Sequence, residues 1–169
     1  YPLAREITRG LPGGLGDPLL NTWTLAWDAD RLRHGLLGLW DAPIFYPYST
    51  TLAYSEHLLG IAVLTAPVQW LSGNPVLAYN VAFLMSSVLA GAGMYLFTAS
   101  LTGTRLAALV AGVAFAFLPF RVAHLGHLQA LMYGWMPIGL WALHRFLGSG
   151  SRRALATFCV VFLLQGLSN

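Results

Sequence analysis

The residues best equipped for chemistry in this 169-residue chain begin with a polar patch, Phe120-Arg121-Val122-Ala123-His124-Leu125-Gly126-His127-Leu128-Gln129, set in a long apolar region. A planar guanidinium beside one or two imidazoles makes a phosphate clamp, because a fixed fork of donors is joined by further donors nearby. On a continuous helix, positions 121, 124 and 128 share a face and 124 and 127 are neighbours. The plainer alternative is an arginine reaching toward lipid headgroups with histidines at the interface, which needs no ligand. A zinc reading of His124-x-x-His127 is weaker. Two nitrogens do not close a site, no HExxH pattern is present, and Asp17, Glu56 or His57 would have to supply a third ligand.

Two acidic positions complete the set. Asp17 follows a glycine-rich turn, Gly10-Leu11-Pro12-Gly13-Gly14-Leu15-Gly16, and precedes Pro18. It is either a helix N-cap, worth about 1 kcal/mol, or an outward-facing carboxylate able to take a proton from a hydroxyl. Glu56-His57 stands where the polar part of the chain enters the apolar part, and Glu56 is either solvated there or engaged in a site. Asp28, Asp30, Arg31 and Arg33 read as the wet face of a surface helix.

The elements that must carry these residues follow from composition. The chain is 57 % apolar and 9 % charged, against about 25 % charged in an ordinary soluble domain. Too few charges remain for a water-facing surface, so lipid is the expected surroundings. All nine basic residues are Arg; residues 1–56 hold four of them and all six acids (net −2), and residues 57–169 hold five and no acid (net +5). No clustered basic stripe suits nucleic acid, and the lone Cys159 builds no disulfide framework. The expected fold is all-α: a polytopic transmembrane helical bundle with an N-terminal extracytoplasmic loop containing interfacial helices.

Residues 1–75 form that loop. It holds a helix from about Pro18 to Leu39 lying along the membrane surface, an aromatic and proline-rich loop at 40–48, and a short apolar segment at 57–71 that is read as not crossing. Transmembrane helices are expected at about 76–101, 105–120, 130–147 (kinked at Pro137) and 154–169. Gly91-Ala92-Gly93 and Gly112 are small enough for close helix contact. Arginines near 105 and 145–153 mark the cytoplasmic side. Asp17, Glu56 and the 121–129 patch then share the outer side. The chain reads as a piece of a longer integral membrane protein.

The order of these motifs carries a resemblance. Gly16-Asp17-Pro18, an aromatic-proline loop running into Tyr54-Ser55-Glu56-His57, and a hairpin at Leu101-Thr102-Gly103-Thr104-Arg105 lead to Pro119-Phe120-Arg121-x-x-His124-x-x-His127-Leu128-Gln129. The pattern resembles the N-terminal part of bacterial GT-C-type polytopic membrane glycosyltransferases, including the YfhO-like group and relatives of dolichyl-phosphate-mannose mannosyltransferases. The resemblance implies a bacterial plasma-membrane enzyme with a transmembrane helix before the outer loop and a polyprenyl-phosphate-linked sugar as donor. It makes Asp17 the base on an acceptor hydroxyl and Glu56 a second acid. Arg121, His124 and His127 would hold the donor phosphate, with His57 among the substrate-binding groups. Some members use a divalent metal; no residue is assigned to one here. A lipid or polymer transporter subunit and a non-catalytic membrane scaffold are the alternative classes.

Overall fold

The computed structural model describes residues 2–168. Helix accounts for 70 % of the chain, and there is no strand among the described residues. The helices are α1 (Asp17–Arg33), α2 (Leu59–Ser72), α3 (Pro75–Thr102), α4 (Arg105–Ala116), α5 (Pro119–Ala123), α6 (Leu128–Leu131), α7 (Trp135–Ser149) and α8 (Arg152–Gly166). Local chemistry sets most of their ends. Asn74 caps α3 by accepting from the Leu77 N–H at 3.0 Å, with Pro75 at the first helical position, and Ser151 caps α8 through the Ala154 N–H. Gly103 ends α3 at φ +67°, a conformation a side chain would strain.

The long helix α3 is the spine. Its 28 residues span about 42 Å, whereas the return from Arg105 to Ala123 covers about 28 Å. The surplus length at the N-terminal end of α3 is clothed by the rest of the chain. Asn80 donates to the carbonyls of Ile7 and Gly10, each at 2.8 Å, and Asn74 donates to that of Thr8. Helices α1 and α2 flank this end and run in the same direction, tied near their C-termini by the Trp70 indole N–H donating to the Ala29 carbonyl at 2.9 Å. One core unites Leu25, Leu58, Ile61, Ala62, Tyr79, Leu128 and Trp135 from both ends of the chain.

Toward its C-terminal end α3 is met by α4 and α7, and α8 packs on α7. A Cβ on Gly112 would come within 2.8 Å of the Gly91 carbonyl, so the expected close contact of small residues is present between α3 and α4. Two stretches, Pro75–Thr102 and Arg105–Ala123, are long and apolar enough to cross a membrane, and only 22 % of each is covered by the rest of the chain. Leu106, Leu109, Val110, Val113 and Phe117 lie exposed along α4. A core helix of a water-soluble domain would have its apolar face covered; these faces are bare.

Three expectations change. First, α1 does not present Asp28 to water. Asn21, Thr24, Leu25, Asp28 and Ala29 turn inward, and Asp28 is wholly buried, because α1 is packed alongside α2 and α3 rather than laid out on a surface. Second, Pro137 makes no kink: it lies in the first turn of α7, where the missing N–H has no helical partner to lose. Third, the span expected at 130–147 starts late, since residues 132–134 form a turn between α6 and α7.

Candidate functional site

Asp17 occupies the first turn of α1, and Gly16, not Asp17, is the N-cap residue; no side chain caps the helix. The Asp17 carboxylate instead reaches His127, with Oδ2 to Nε2 at 3.0 Å and both side chains about half exposed (54 % and 49 %). A pair this wet adds only about 0–1 kcal/mol to stability, so its meaning is positional.

The contact depends on backbone proximity. Gly13 adopts φ +84°, and a Cβ there would fall 2.6 Å from the Gly126 nitrogen and 2.7 Å from the Leu125 carbonyl carbon. The glycine-rich loop therefore lies directly on the 125–126 turn. Gly13→Ala is expected to drive the loop off this turn and separate Asp17 from His127. Paired labels at 15 and 122 would read the opening as a longer distance, and an unchanged distance would refute the account.

A second rung lies one turn along α1, about 6 Å from the first. Asn21 Nδ2 donates to Gln129 Oε1 at 3.2 Å, and Gln129 Nε2 donates to Glu56 Oε1 at 3.0 Å. The Ser55 hydroxyl donates to the other Glu56 oxygen at 3.3 Å. Two carboxylates from distant parts of the sequence are thereby tied to one segment, 127–129. Between the first rung and α5 opens a cleft of about 490 Å³, with Gly16, Asp17, Val122 and His127 in its wall.

The remaining histidines are positioned through their ring nitrogens. His124 stacks on Phe120 with centroids 4.1 Å apart and stands edge-on to His127 at 5.8 Å. Its Nδ1 lies 2.9 Å from the Phe120 carbonyl. A carbonyl only accepts, so Nδ1 carries the proton and Nε2 is left as the free nitrogen. His57 accepts the Leu59 N–H at Nδ1 and meets Trp40 edge-on. Burial pushes its pKa below the ordinary value, which keeps the ring neutral with its proton on Nε2.

Arg121 is elsewhere. Helix α5 ends at Ala123 and residues 124–127 turn before α6, so the shared face of 121, 124 and 128 does not exist. The guanidinium is buried against α3, donating to Ser86 Oγ at 2.8 Å and to the Leu131 carbonyl at 3.4 Å. The rings of Phe83 and Tyr133 lie 5.9 Å from it on either side. This arginine braces the 119–131 segment on α3 and stands outside the cleft. Arg121→Ala is expected to lower the melting temperature by several degrees and leave cleft binding unchanged in the folded fraction. A stable variant with lost anion binding would reverse this assignment.

Comparisons with known protein families, curated proteins and solved structures find no match.

The site therefore rests on its own geometry. Asp17, Glu56, His57, His124 and His127 gather at one end of the apolar bundle, and Arg121 does not join them. No three His, Cys, Asp or Glu side chains converge as a metal site among the described residues, and the Asp17–His127 pair alone does not make one. Asn21 and Gln129 are hydrogen-bond partners in this cluster that residue type alone does not reveal. Their signal was spacing: Asn21 is one turn after Asp17, and Gln129 is two positions after His127.

Proposed function

We propose that this chain is the outer-loop and first-spans region of a polytopic membrane glycosyltransferase of the GT-C type, moving a sugar from a polyprenyl-phosphate donor to an acceptor on the extracytoplasmic side. The bare apolar faces of α3 and α4 support placing them in lipid. The arginines at 105, 145, 152 and 153 support placing that end of the bundle on the cytoplasmic side. The observation that carries the reading is the 3.0 Å contact between Asp17 and His127. It brings a carboxylate and an imidazole into one cleft at the end of the bundle opposite those arginines.

In this reaction the acceptor hydroxyl gives its proton to the Asp17 carboxylate while its oxygen bonds to the anomeric carbon. The bond from that carbon to the phosphate oxygen breaks, and polyprenyl phosphate leaves with the electron pair. His127, with His124 edge-on beside it, holds the leaving phosphate and stabilises the charge that grows on it. Glu56, held by Gln129 and Ser55, orients acceptor hydroxyls, and the neutral His57 beside it offers one more donor from Nε2.

The deciding experiment uses the full-length protein in liposomes with polyprenyl-phosphate sugars. Asp17→Asn should lower transfer by about 10²–10⁴-fold and keep donor binding. A transporter would be indifferent to the change, and a scaffold would bind no donor at all.

A further inference from the structure

The opposite end of the bundle holds a second cleft, of about 520 Å³, between the C-terminal halves of α3 and α7. Its deeper wall is apolar, formed by Leu96, Ala99 and Trp141, and its mouth carries Ser100, His144 and Arg145. Arg145 is exposed on α7. It folds back over the Trp141 ring at 5.4 Å, so charge and apolar surface meet at the cleft mouth. Among the described residues no hydrogen bond or ion pair engages the Arg145 guanidinium or the His144 ring.

Uncompensated charge is the telling feature. Arg105, Arg145, Arg152 and Arg153 gather at this end, and no acid follows Glu56 anywhere in the sequence. The six acids all belong to the N-terminal part, on the far side of α3. The chain itself thus offers these cations no counter-charge. A topology signal needs only that arginines lie in the loops. It does not require one of them to be stacked on a tryptophan at the head of an apolar cleft.

We propose that this cleft binds an anionic phospholipid of the cytoplasmic leaflet. The phosphate sits at Arg145 and His144, and one acyl chain lies along Leu96, Ala99 and Trp141. An apolar wall beneath a cationic mouth matches the two halves of such a lipid. Basic pockets between transmembrane helices on the cytoplasmic side take this class of headgroup. The site is separate from the Asp17 cleft; it rests on the bilayer placement and orientation of the proposed function, and not on its transferase chemistry.

The test is binding of spin-labelled phosphatidylglycerol to the full-length protein in phosphatidylcholine nanodiscs. Wild type should immobilise labelled phosphatidylglycerol in preference to labelled phosphatidylcholine. A juxtamembrane arginine contributes about 1 kcal/mol to such attraction, so Arg145→Gln should weaken binding about fivefold. Arg153→Gln, outside the cleft, should stay within about twofold. Equal losses from the two variants would mean a diffuse basic surface and overturn the proposal. Full displacement by millimolar inorganic phosphate would overturn it in favour of a soluble-anion site, and absence of headgroup preference would overturn it outright. Sugar transfer by Arg145→Gln in phosphatidylcholine alone should match wild type, which keeps this result independent of the transferase reading.

Discussion

Asp28→Asn should stabilise the protein, and more so as the pH rises. Asp28 is fully buried in α1, and neither carboxyl oxygen has a hydrogen-bond partner. Burial with no compensating charge pushes its pKa from 3.8 up to about 8, so the folded protein holds a proton that the unfolded chain releases near pH 4. Folded protein binds more protons than unfolded protein between those limits. Stability therefore falls as pH rises through that window, by about 1.4 kcal/mol per pH unit, and levels off once the folded carboxyl also ionises. The full loss is roughly 6 kcal/mol.

The amide has a similar shape and no charge to bury, so the pH-dependent part of the penalty vanishes. At pH 8 the melting temperature of Asp28→Asn should exceed that of wild type by on the order of 10 °C. At pH 5 the difference should shrink to about a third of that. Thermal melts across pH 5–8 decide the matter. A wild-type melting temperature that does not fall over this range would remove the basis of the argument, and so would an Asp28→Asn variant no more stable at pH 8.

Asp17→Asn carries the second large effect, on turnover. An asparagine at 17 has the same size and can still accept a hydrogen bond from His127, so the glycine loop should stay seated on the 125–126 turn. It cannot accept a proton from a hydroxyl. A positioned general base contributes about 10²–10⁴-fold, and the loss in kcat should fall in that range with donor affinity retained. Transfer within tenfold of wild type would exclude Asp17 as the base. Parallel loss of donor binding and turnover would make it a residue that holds the site together.

These two aspartates divide what was legible in the sequence from what was not. Both lie on α1, eleven positions apart. Asp17 sits beside a glycine-rich turn, and its placement near the 121–129 patch followed from counting apolar runs and loop arginines. Asp28 sits among Asp30, Arg31 and Arg33, so local composition pointed to water. Its burial comes from α2 and α3, contributed by residues some thirty to fifty positions later in the sequence.

The patch at 120–129 shows the same division within ten residues. The amino-acid order alone determined that the chain is helical, that it holds apolar runs long enough to cross a membrane, and that loops at 72–75, 102–105 and 148–153 interrupt them. Hydropathy and turn chemistry are properties of near neighbours. Tertiary structure decided which way the side chains face. Breaking the helix at 124–127 left His127 in the cleft and turned Arg121 toward Ser86. A helix break rotates everything beyond it, and which rotation persists depends on the surfaces available for packing, here α3 and the glycine loop.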